Sequence, residues 1–382
     1  MIKLKRESSD NMRDTYALIN LTYLKGNIKE IKSKYNDYKY YIGVVKANAY
    51  GHGDYIVNAL EEAGINYLAV SSLEEALSIR KHNTNLPILC FGYVDIKEID
   101  KVVENNVTLS IVSKEYFNEL KKVNKNIKVH IKLNTGMNRF GIKDKEEVKK
   151  VVDEIKNTNM TLEGIYTHLA TSGVNDSYYD YQINKFEQLT SLIDLKDIPM
   201  VHVFNSLGLA RHKKLEYTNA VRLGLMMYGF TYNVGDSFIN KFRRRLKNKN
   251  DVMLNNNLKL KKVLSLHSEI VNINKVENKE FVGYNAKYIS DKDNYIGVVS
   301  IGHADGVTNS YKEVIINNKK YPIVSYSMDY IMVLIDETVK LHDKVTLIGE
   351  SITAGTIAGN TDTPHHILVS ISNRVDRKYE EW

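Results

Sequence analysis

Residues 41–53 read YIGVVKANAYGHG: a largely apolar run from Tyr41 to Val45, then a lysine, then small residues broken by Tyr50 and ended by Gly51 and Gly53. An apolar, β-branched run closed by turn-forming residues marks a strand buried on both faces, which has no need of polar alternation. The pattern recurs downstream. Runs at Tyr67 to Val70, Ile88 to Phe91, Thr108 to Val112, Lys128 to Leu133, Leu162 to Thr167, Met200 to Phe204 and Val221 to Met226 bring the number of such strands to eight. Helix-like stretches lie between them, Asp54 to Ala63 and Leu73 to Lys81 among them. In the second, Glu74 and Glu75 fall in the first turn and Arg80 and Lys81 in the last, as the helix dipole favours. Eight strand–helix units predict an α/β fold, a TIM-type (β/α)8 barrel over residues 15–235, with a doubly wound open sheet as the competing arrangement.

After Phe230 the register changes. A basic run, KFRRRLKNKN at 241–250, reads either as a phosphate- or RNA-binding patch or, more plainly, as a solvated linker. Beyond it come short strands with turn signals: Val263 to Val271, Ile296 to Ile301, Glu313 to Ile316, Ile323 to Val324, Ile331 to Ile335 and Lys344 to Leu347. These predict a separate, mostly-β C-terminal domain over 236–382, which the polar segment 1–14 either joins or hangs free of.

Composition bounds the function. The 382 residues are 43% hydrophobic and 26% charged, enough for a full core in each part. No stretch approaches the roughly 18 uninterrupted apolar residues of a membrane span, and no secretory leader pattern follows Met1. The lone Cys90 has no partner for an internal disulfide, so a cytoplasmic protein is expected. The net charge of +7 is spread through the chain, which argues against a nucleic-acid surface.

The chemistry gathers at strand ends. Lys46 closes the first strand at the C-terminal mouth of the barrel, where barrel enzymes keep their reactive groups, and a lysine there either forms a Schiff base with a carbonyl compound or merely caps the strand in solvent. Other strands end similarly: Lys132, Asn134 and Arg139 after the fifth, Thr167 and His168 after the sixth, Asn205 and Ser206 after the seventh, Arg222 and Gly224 in the eighth. Each has a plainer reading, with His168 a half-buried histidine and Arg139 or Arg222 a structural ion-pair partner. Their convergence on one mouth favours a site. Asn205, Ser206 and Gly224 offer the neutral donors of a phosphate cradle.

On these residues the chain resembles the alanine racemase family, barrel enzymes that use pyridoxal 5'-phosphate. The matching segments are VVKANAYGHG at 44–53, HIKLNTGMNRFGI at 130–142, GIYTHLA at 164–170, FNSLGLAR at 204–211, AVRLGLMMYG at 220–229, VGYNAKY at 282–288, IGHADG at 301–306 and YSMDY at 326–330. The resemblance implies that Lys46 carries the cofactor and acts as one acid/base group, and that Tyr284, donated by the second subunit of a homodimer, is the other. It implies that Arg222 faces the pyridine nitrogen and that His168 hydrogen-bonds the catalytic tyrosine. Tyr50, Ser206, Gly224 and Leu225 match phosphate contacts. Arg139 matches a group near the cofactor oxygen and the substrate carboxylate, Met328 a substrate contact from the second subunit, and Lys132 a lysine often carbamylated in the family.

The implied activity is interconversion of L- and D-alanine by two bases, with D-alanine going to peptidoglycan. It needs no metal. Arginine keeps its proton, so Arg222 cannot protonate the ring nitrogen as a carboxylate would, and a weaker electron sink suits proton exchange over transamination or decarboxylation. A tyrosine titrates near pH 10 when free, so Tyr284 needs neighbours such as His168 and Arg222 to act near neutrality.

Several positions depart from the family pattern. His365 stands where a tyrosine is usual, with His366 the neighbouring candidate for that place. His303 also replaces a tyrosine, Asn134 an aspartate and Ser327 a cysteine. Smaller, more polar walls point to serine or a broader range of amino acids as the alternative substrate; neutral exchange among relatives is the plainer reading. Two other classes stay open on the sequence: a metal-dependent barrel hydrolase built on carbamylated Lys132, which lacks the His-x-His its first strand should carry, and a non-catalytic cofactor carrier.

Overall fold

Two strands, β1 (Lys3–Arg6) and β2 (Tyr16–Asn20), and the helix Leu21–Lys34 lead into eight parallel strands: β3 (Tyr40–Val44), β4 (Tyr67–Val70), β5 (Ile88–Cys90), β6 (Val107–Ile111), β7 (Lys128–Lys132), β8 (Thr161–Tyr166), β9 (Met200–Asn205) and β10 (Ala220–Leu223). The computed structural model describes residues 3–6 (backbone only), 13–172, 177–230, 258–359 and 363–382. β10 pairs with both β9 and β3, so the eight strands close into a barrel rather than an open sheet. Each strand lies within a residue or two of its apolar run, except that β10 stops at Leu223 rather than Met226. The reason they could be found is burial: every residue of β4 and β6 is buried, so the sequence there is continuously apolar or small.

The helices outside the ring follow local rules. Asp144 accepts from Glu147 N–H at 3.0 Å and starts the helix Lys145–Ile155, whose Val148, Val151, Val152 and Ile155 are buried at helical spacing against the barrel. Burying each such side chain contributes about 1.5–3 kcal/mol. Ser72 and Ser113 cap the helices Leu73–Arg80 and Lys114–Val123 in the same way.

The second unit is a nine-stranded sheet in the order β1-β19-β2-β11-β14-β17-β16-β15-β18, and β11 also pairs with β18. Its strands after the barrel are β11 (Leu264–Val276), β14 (Asn294–Val299), β15 (Glu313–Ile316), β16 (Lys319–Tyr326), β17 (Ile331–Ile335), β18 (Lys344–Ile348) and β19 (Asp376–Glu381), while β12 (Phe281–Val282) and β13 (Tyr288–Ile289) form a small hairpin apart. Here the structure differs from the boundary drawn at residue 15. β2 lies inside the segment assigned to the barrel but pairs with β11 and β19 of the second sheet, and the barrel's own elements begin after it. An apolar strand followed by an Asn-capped helix looks like one more barrel unit, and only partners about 250 and 360 residues away show otherwise. β1 joins the same sheet through β19. The boundary at 235/236 and the basic run at 241–250 lie outside the described residues. Among the described residues no helix is long and apolar enough to cross a membrane.

Candidate active site

The lysine at the end of the first barrel strand opens a backbone feature the sequence does not announce. Ala47, Asn48, Ala49 and Tyr50 have φ of +54°, +52°, +50° and +54°, and for the three alanine and asparagine residues ψ is also near +50°: one turn of left-handed helix built from non-glycine residues. At about 1–2 kcal/mol per residue such a turn stores several kcal/mol, so it persists only where its surroundings determine it. They do. Glu75 accepts from Ala47 N–H and Ser71 N–H, both at 2.7 Å. The buried His52 places Nδ1 at 3.0 Å from the carbonyls of both Ala49 and Tyr50, which requires the proton on Nδ1, and burial pushes its pKa down to about 4. Its ring stacks on Tyr228 at 4.2 Å, and Tyr228 donates to Val44 O at 3.1 Å.

The turn faces a cavity of about 630 Å³ at the C-terminal mouth of the barrel. Lys46, Tyr50, Arg139, His168, Asn205, Ser206, Arg222, Gly224, Leu225 and His365 all line it, together with Lys132; no Asp or Glu does. Burial, and after it the Arg139 charge, lowers the pKa of Lys46, with Glu75 opposing. A larger share of neutral amine is what attack on a carbonyl needs. Arg139, at the exposed rim, has no hydrogen bond or ion pair among the described residues.

Opposite stands Arg222, fully buried. Its Nη1 donates to His202 Nδ1 at 2.8 Å and His202 O at 3.1 Å, and its Nη2 to Thr167 O at 2.9 Å and Val203 O at 2.8 Å. Both terminal nitrogens are thus committed, and the Nε–H alone has no acceptor among the described residues. Because arginine only donates, His202 Nδ1 is bare and its proton sits on Nε2, which lies 3.0 Å from His130 Nδ1. His130 in turn carries its proton on Nε2, a buried atom without a partner among the described residues. Burial keeps both rings neutral, pushing His130 down to about 3 and His202 well below the usual range, with the Arg222 charge adding to the second.

Lys132 is the least expected group on the wall. It is buried beside Arg222 and Arg139, it has no ion-pair partner among the described residues, and its Nζ sits 4.4 Å over the ring of Tyr166. Burial first, then those two guanidinium groups, lowers its pKa well below the ordinary lysine value. Burial likewise, followed by Arg222, Lys132, Arg139 and Lys46, keeps His168 unprotonated. Tyr166, stacked on His202 at 4.6 Å and hydrogen-bonded to Ser110 at 2.8 Å, is pushed up to about 12 by burial.

At the other end of the cavity, Ser206 accepts from Gly224 N–H at 2.8 Å, Asn205 caps the helix Ser206–Arg211, and a Cβ on Gly224 would come within 3.2 Å of the Tyr50 hydroxyl. These groups cluster on the cavity wall around a position with no side chain. Two expected site residues are elsewhere. Tyr284 is 70% exposed and Met328 63% exposed, and neither lines the cavity. They project from neighbouring turns of the second domain, since Gly283 packs on Ser325.

Comparison with known proteins agrees with this geometry. The model of the alanine racemase N-terminal domain matches residues 19–232 and that of the C-terminal domain residues 263–379. The chain belongs to the alanine racemase family. Alanine racemase 1 of Bacillus subtilis is 35% identical over 97% of this chain and 94% of that one. The structure of alanine racemase from Bacillus anthracis with bound L-Ala-P superposes with a TM-score of 0.85 at 33% identity, covering 97% of this chain and 96% of that chain. A histidine racemase from Leuconostoc mesenteroides superposes with a TM-score of 0.84 at 25% identity, covering 96% and 98%. Membership in the alanine racemase family makes the protein an isomerase acting on amino acids and sets aside the hydrolase and carrier classes. Among the described residues no group of three or more His, Cys, Asp or Glu is placed to hold a metal ion.

The departures from the alanine racemase pattern fall in different places. His365 lies on the cavity wall with its Nε2 at 3.0 Å from Thr363 Oγ1, whereas His366 is exposed and off the wall. His303 is off it too, its Nδ1 held at 2.7 Å by Val307 O. Asn134 accepts from Gly136 N–H and Asn138 N–H through its Oδ1, which an aspartate would do equally. Ser327 closes its own turn by exchanging hydrogen bonds with Tyr330. Residues that sequence reasoning passed over include His202, His130 and Tyr166. Their signal was a polar or aromatic residue at every second position of otherwise apolar strands, as with His130 and Lys132 on β7.

Proposed function

We propose that the protein interconverts L- and D-alanine using pyridoxal 5'-phosphate bound covalently at Lys46. One observation carries this reading: Lys46, with a lowered pKa, and Arg222, with one N–H uncommitted, face a single cavity at the barrel mouth whose described lining includes Tyr50, Asn205 and Ser206 and no carboxylate. The donor set suits that cofactor. Tyr50, Asn205, Ser206, Gly224 and Leu225 would hold its phosphate, Arg222 its ring nitrogen, and Arg139 its phenolic oxygen and the substrate carboxylate. When bound, the cofactor acidifies the substrate Cα–H.

Inversion needs proton transfer on both faces of that carbon. Lys46 removes or returns the proton on one. Of the described residues on the cavity wall, Tyr166 is pushed up to about 12 by burial and tied to Ser110, which leaves it poorly suited to the other face. Tyr284, displayed in solvent near Met328, supplies that face to the barrel of a second copy, with His168 and Arg222 as its hydrogen-bonded field. The working unit is therefore a head-to-tail homodimer. An added carbamate on Lys132 would give Arg222 and Arg139 the anion they otherwise lack. D-alanine made in the cytoplasm would serve peptidoglycan.

A second reading has one specific support. His365 replaces a larger phenolic wall, and the Leuconostoc relative on the same scaffold is a histidine racemase, so serine or a broader set of amino acids is the alternative substrate. The test is racemisation of each proteinogenic L-amino acid, with solvent deuterium followed into Cα and the visible band of bound cofactor recorded. L-alanine leading in kcat/KM supports the first reading. L-serine leading, with the ratio reversed by His365→Tyr, supports the second, and protein that stays colourless with the cofactor overturns both.

A further inference from the structure

The left-handed turn behind Lys46 is not held by the barrel alone. The two carbonyls that directly follow it meet the last strand of the second domain: Arg377 Nε–H donates to Gly51 O at 3.1 Å, and the Tyr379 hydroxyl donates to His52 O at 3.1 Å. Both side chains are buried. The rest of the Arg377 guanidinium is fixed in the segment before it, through Nη1 to Ser372 O at 2.6 Å and Val375 O at 2.7 Å and through Nη2 to Ile371 O at 2.7 Å. The fit is as close as backbone permits. A Cβ on Gly51 would lie 2.1 Å from Leu368 O, and one on Gly53 would lie 1.9 Å from the Tyr379 hydroxyl, with both glycines at positive φ. Leu368 belongs to the helix Pro364–Ser370, which also sends His365 and Val369 to the cavity wall.

We propose that Arg377 and Tyr379 are positioning residues for cofactor binding: they brace the left-handed turn so that the Lys46 amine and the Tyr50 hydroxyl are presented together to the cofactor. This rests on the cofactor reading above. The turn is a strained conformation for Ala47 to Tyr50, and its own hydrogen bonds, Gly51 N–H to Ala47 O and Gly53 N–H to Asn48 O, run along it without anchoring it to anything else. Besides the His52 ring, which holds the Ala49 and Tyr50 carbonyls from within the loop, the anchors come from Glu75 on one side and from Arg377 and Tyr379 on the other. Loosening the second anchor lets the turn relax toward right-handed or extended backbone, which separates the covalent attachment point from the phosphate cradle. The C-terminal domain then has two tasks on different barrels, displaying Tyr284 to a partner and bracing the turn of its own chain.

The experiment uses the full chain, stripped of cofactor and titrated with pyridoxal 5'-phosphate, as wild type, Tyr379→Phe and Arg377→Lys. Tyr379→Phe removes one hydroxyl and keeps the packed ring, so it serves if the arginine variant fails to fold. Hydrogen exchange of the cofactor-free proteins is read in parallel. The expected result is a cofactor Kd raised about tenfold in Tyr379→Phe, equivalent to about 1.4 kcal/mol, and faster exchange confined to the peptide spanning residues 44–53. A merely structural role would speed exchange across the C-terminal sheet and leave the Kd unmoved. Wild-type Kd and wild-type exchange of the turn in Tyr379→Phe would overturn the inference alone. Wild-type protein that takes up no cofactor at Lys46 would overturn the functional reading with it.

Discussion

Nη1 of Arg222 donates to Nδ1 of His202 at 2.8 Å, and this contact sets the protonation of everything behind it. A donor that never deprotonates forces His202 to carry its proton on Nε2, and that proton forces the same choice on His130. The chain of rings leaves Arg222 a cation with one N–H to give. Replacing His202 by Phe keeps the stack on Tyr166 but strands a buried guanidinium proton. We expect a stability loss of about 1.5–3 kcal/mol, read as a lower urea midpoint. A midpoint equal to wild type would mean the contact does not orient the arginine.

Acid should unfold the protein early. Burial pushes His52 to about 4 and both His130 and His267 to about 3 in the folded chain, against about 6.5 when unfolded. Between those values the unfolded chain binds protons that the folded chain does not, so stability rises with pH across that window and falls as pH drops through it. Each such histidine contributes a slope approaching 1.4 kcal/mol per pH unit. Urea midpoints at pH 7.5 and pH 5 check this, and a midpoint that holds steady between them would contradict it.

At Gly224 the proposed phosphate site has no side chain. Gly224→Ala puts a methyl group within 3.2 Å of the Tyr50 hydroxyl without backbone strain, since the φ of Gly224 is not in the positive range. Cofactor Kd should rise about tenfold or more, equivalent to at least ~1.4 kcal/mol, with little change in the melting temperature of the cofactor-free protein. An unchanged Kd would place the phosphate elsewhere.

Lys132, buried beside two guanidinium groups with its pKa lowered well below the ordinary lysine value, should capture carbon dioxide. Intact-protein mass measured in bicarbonate and under carbon dioxide depletion should differ by one carboxyl group, and depletion should lower kcat/KM by about 10- to 100-fold, the worth of one charge-assisted hydrogen bond. Lys132→Ala should be partly rescued by a short carboxylate such as acetate. Activity indifferent to bicarbonate in the wild type would leave Lys132 as a plain amine.

How much of this was legible in the sequence depends on where each residue's partners lie. The eight barrel strands stand out because burial on both faces makes them apolar throughout, and the mouth residues because they follow those strands. β2 hides because its neighbours β11 and β19 lie far along the chain. The left-handed turn is invisible for a related reason. Ala47, Asn48, Ala49 and Tyr50 carry no glycine signature, and apart from His52 what holds them in place comes from Glu75, Arg377 and Tyr379. Tyr284 and Met328 were reachable only through family resemblance, since nothing in their own chain draws them to the cavity.

The central claim, that Lys46 of one subunit works with Tyr284 of the other, is tested most directly by mixing two inactive variants. Lys46→Ala and Tyr284→Phe homodimers should each be nearly dead. Co-refolded in equal amounts, they form heterodimers in which one of the two sites regains both native residues, and random assortment returns about a quarter of wild-type activity. Heterodimers that form but show no racemisation, or a Tyr284→Phe homodimer with full activity by itself, would contradict the account.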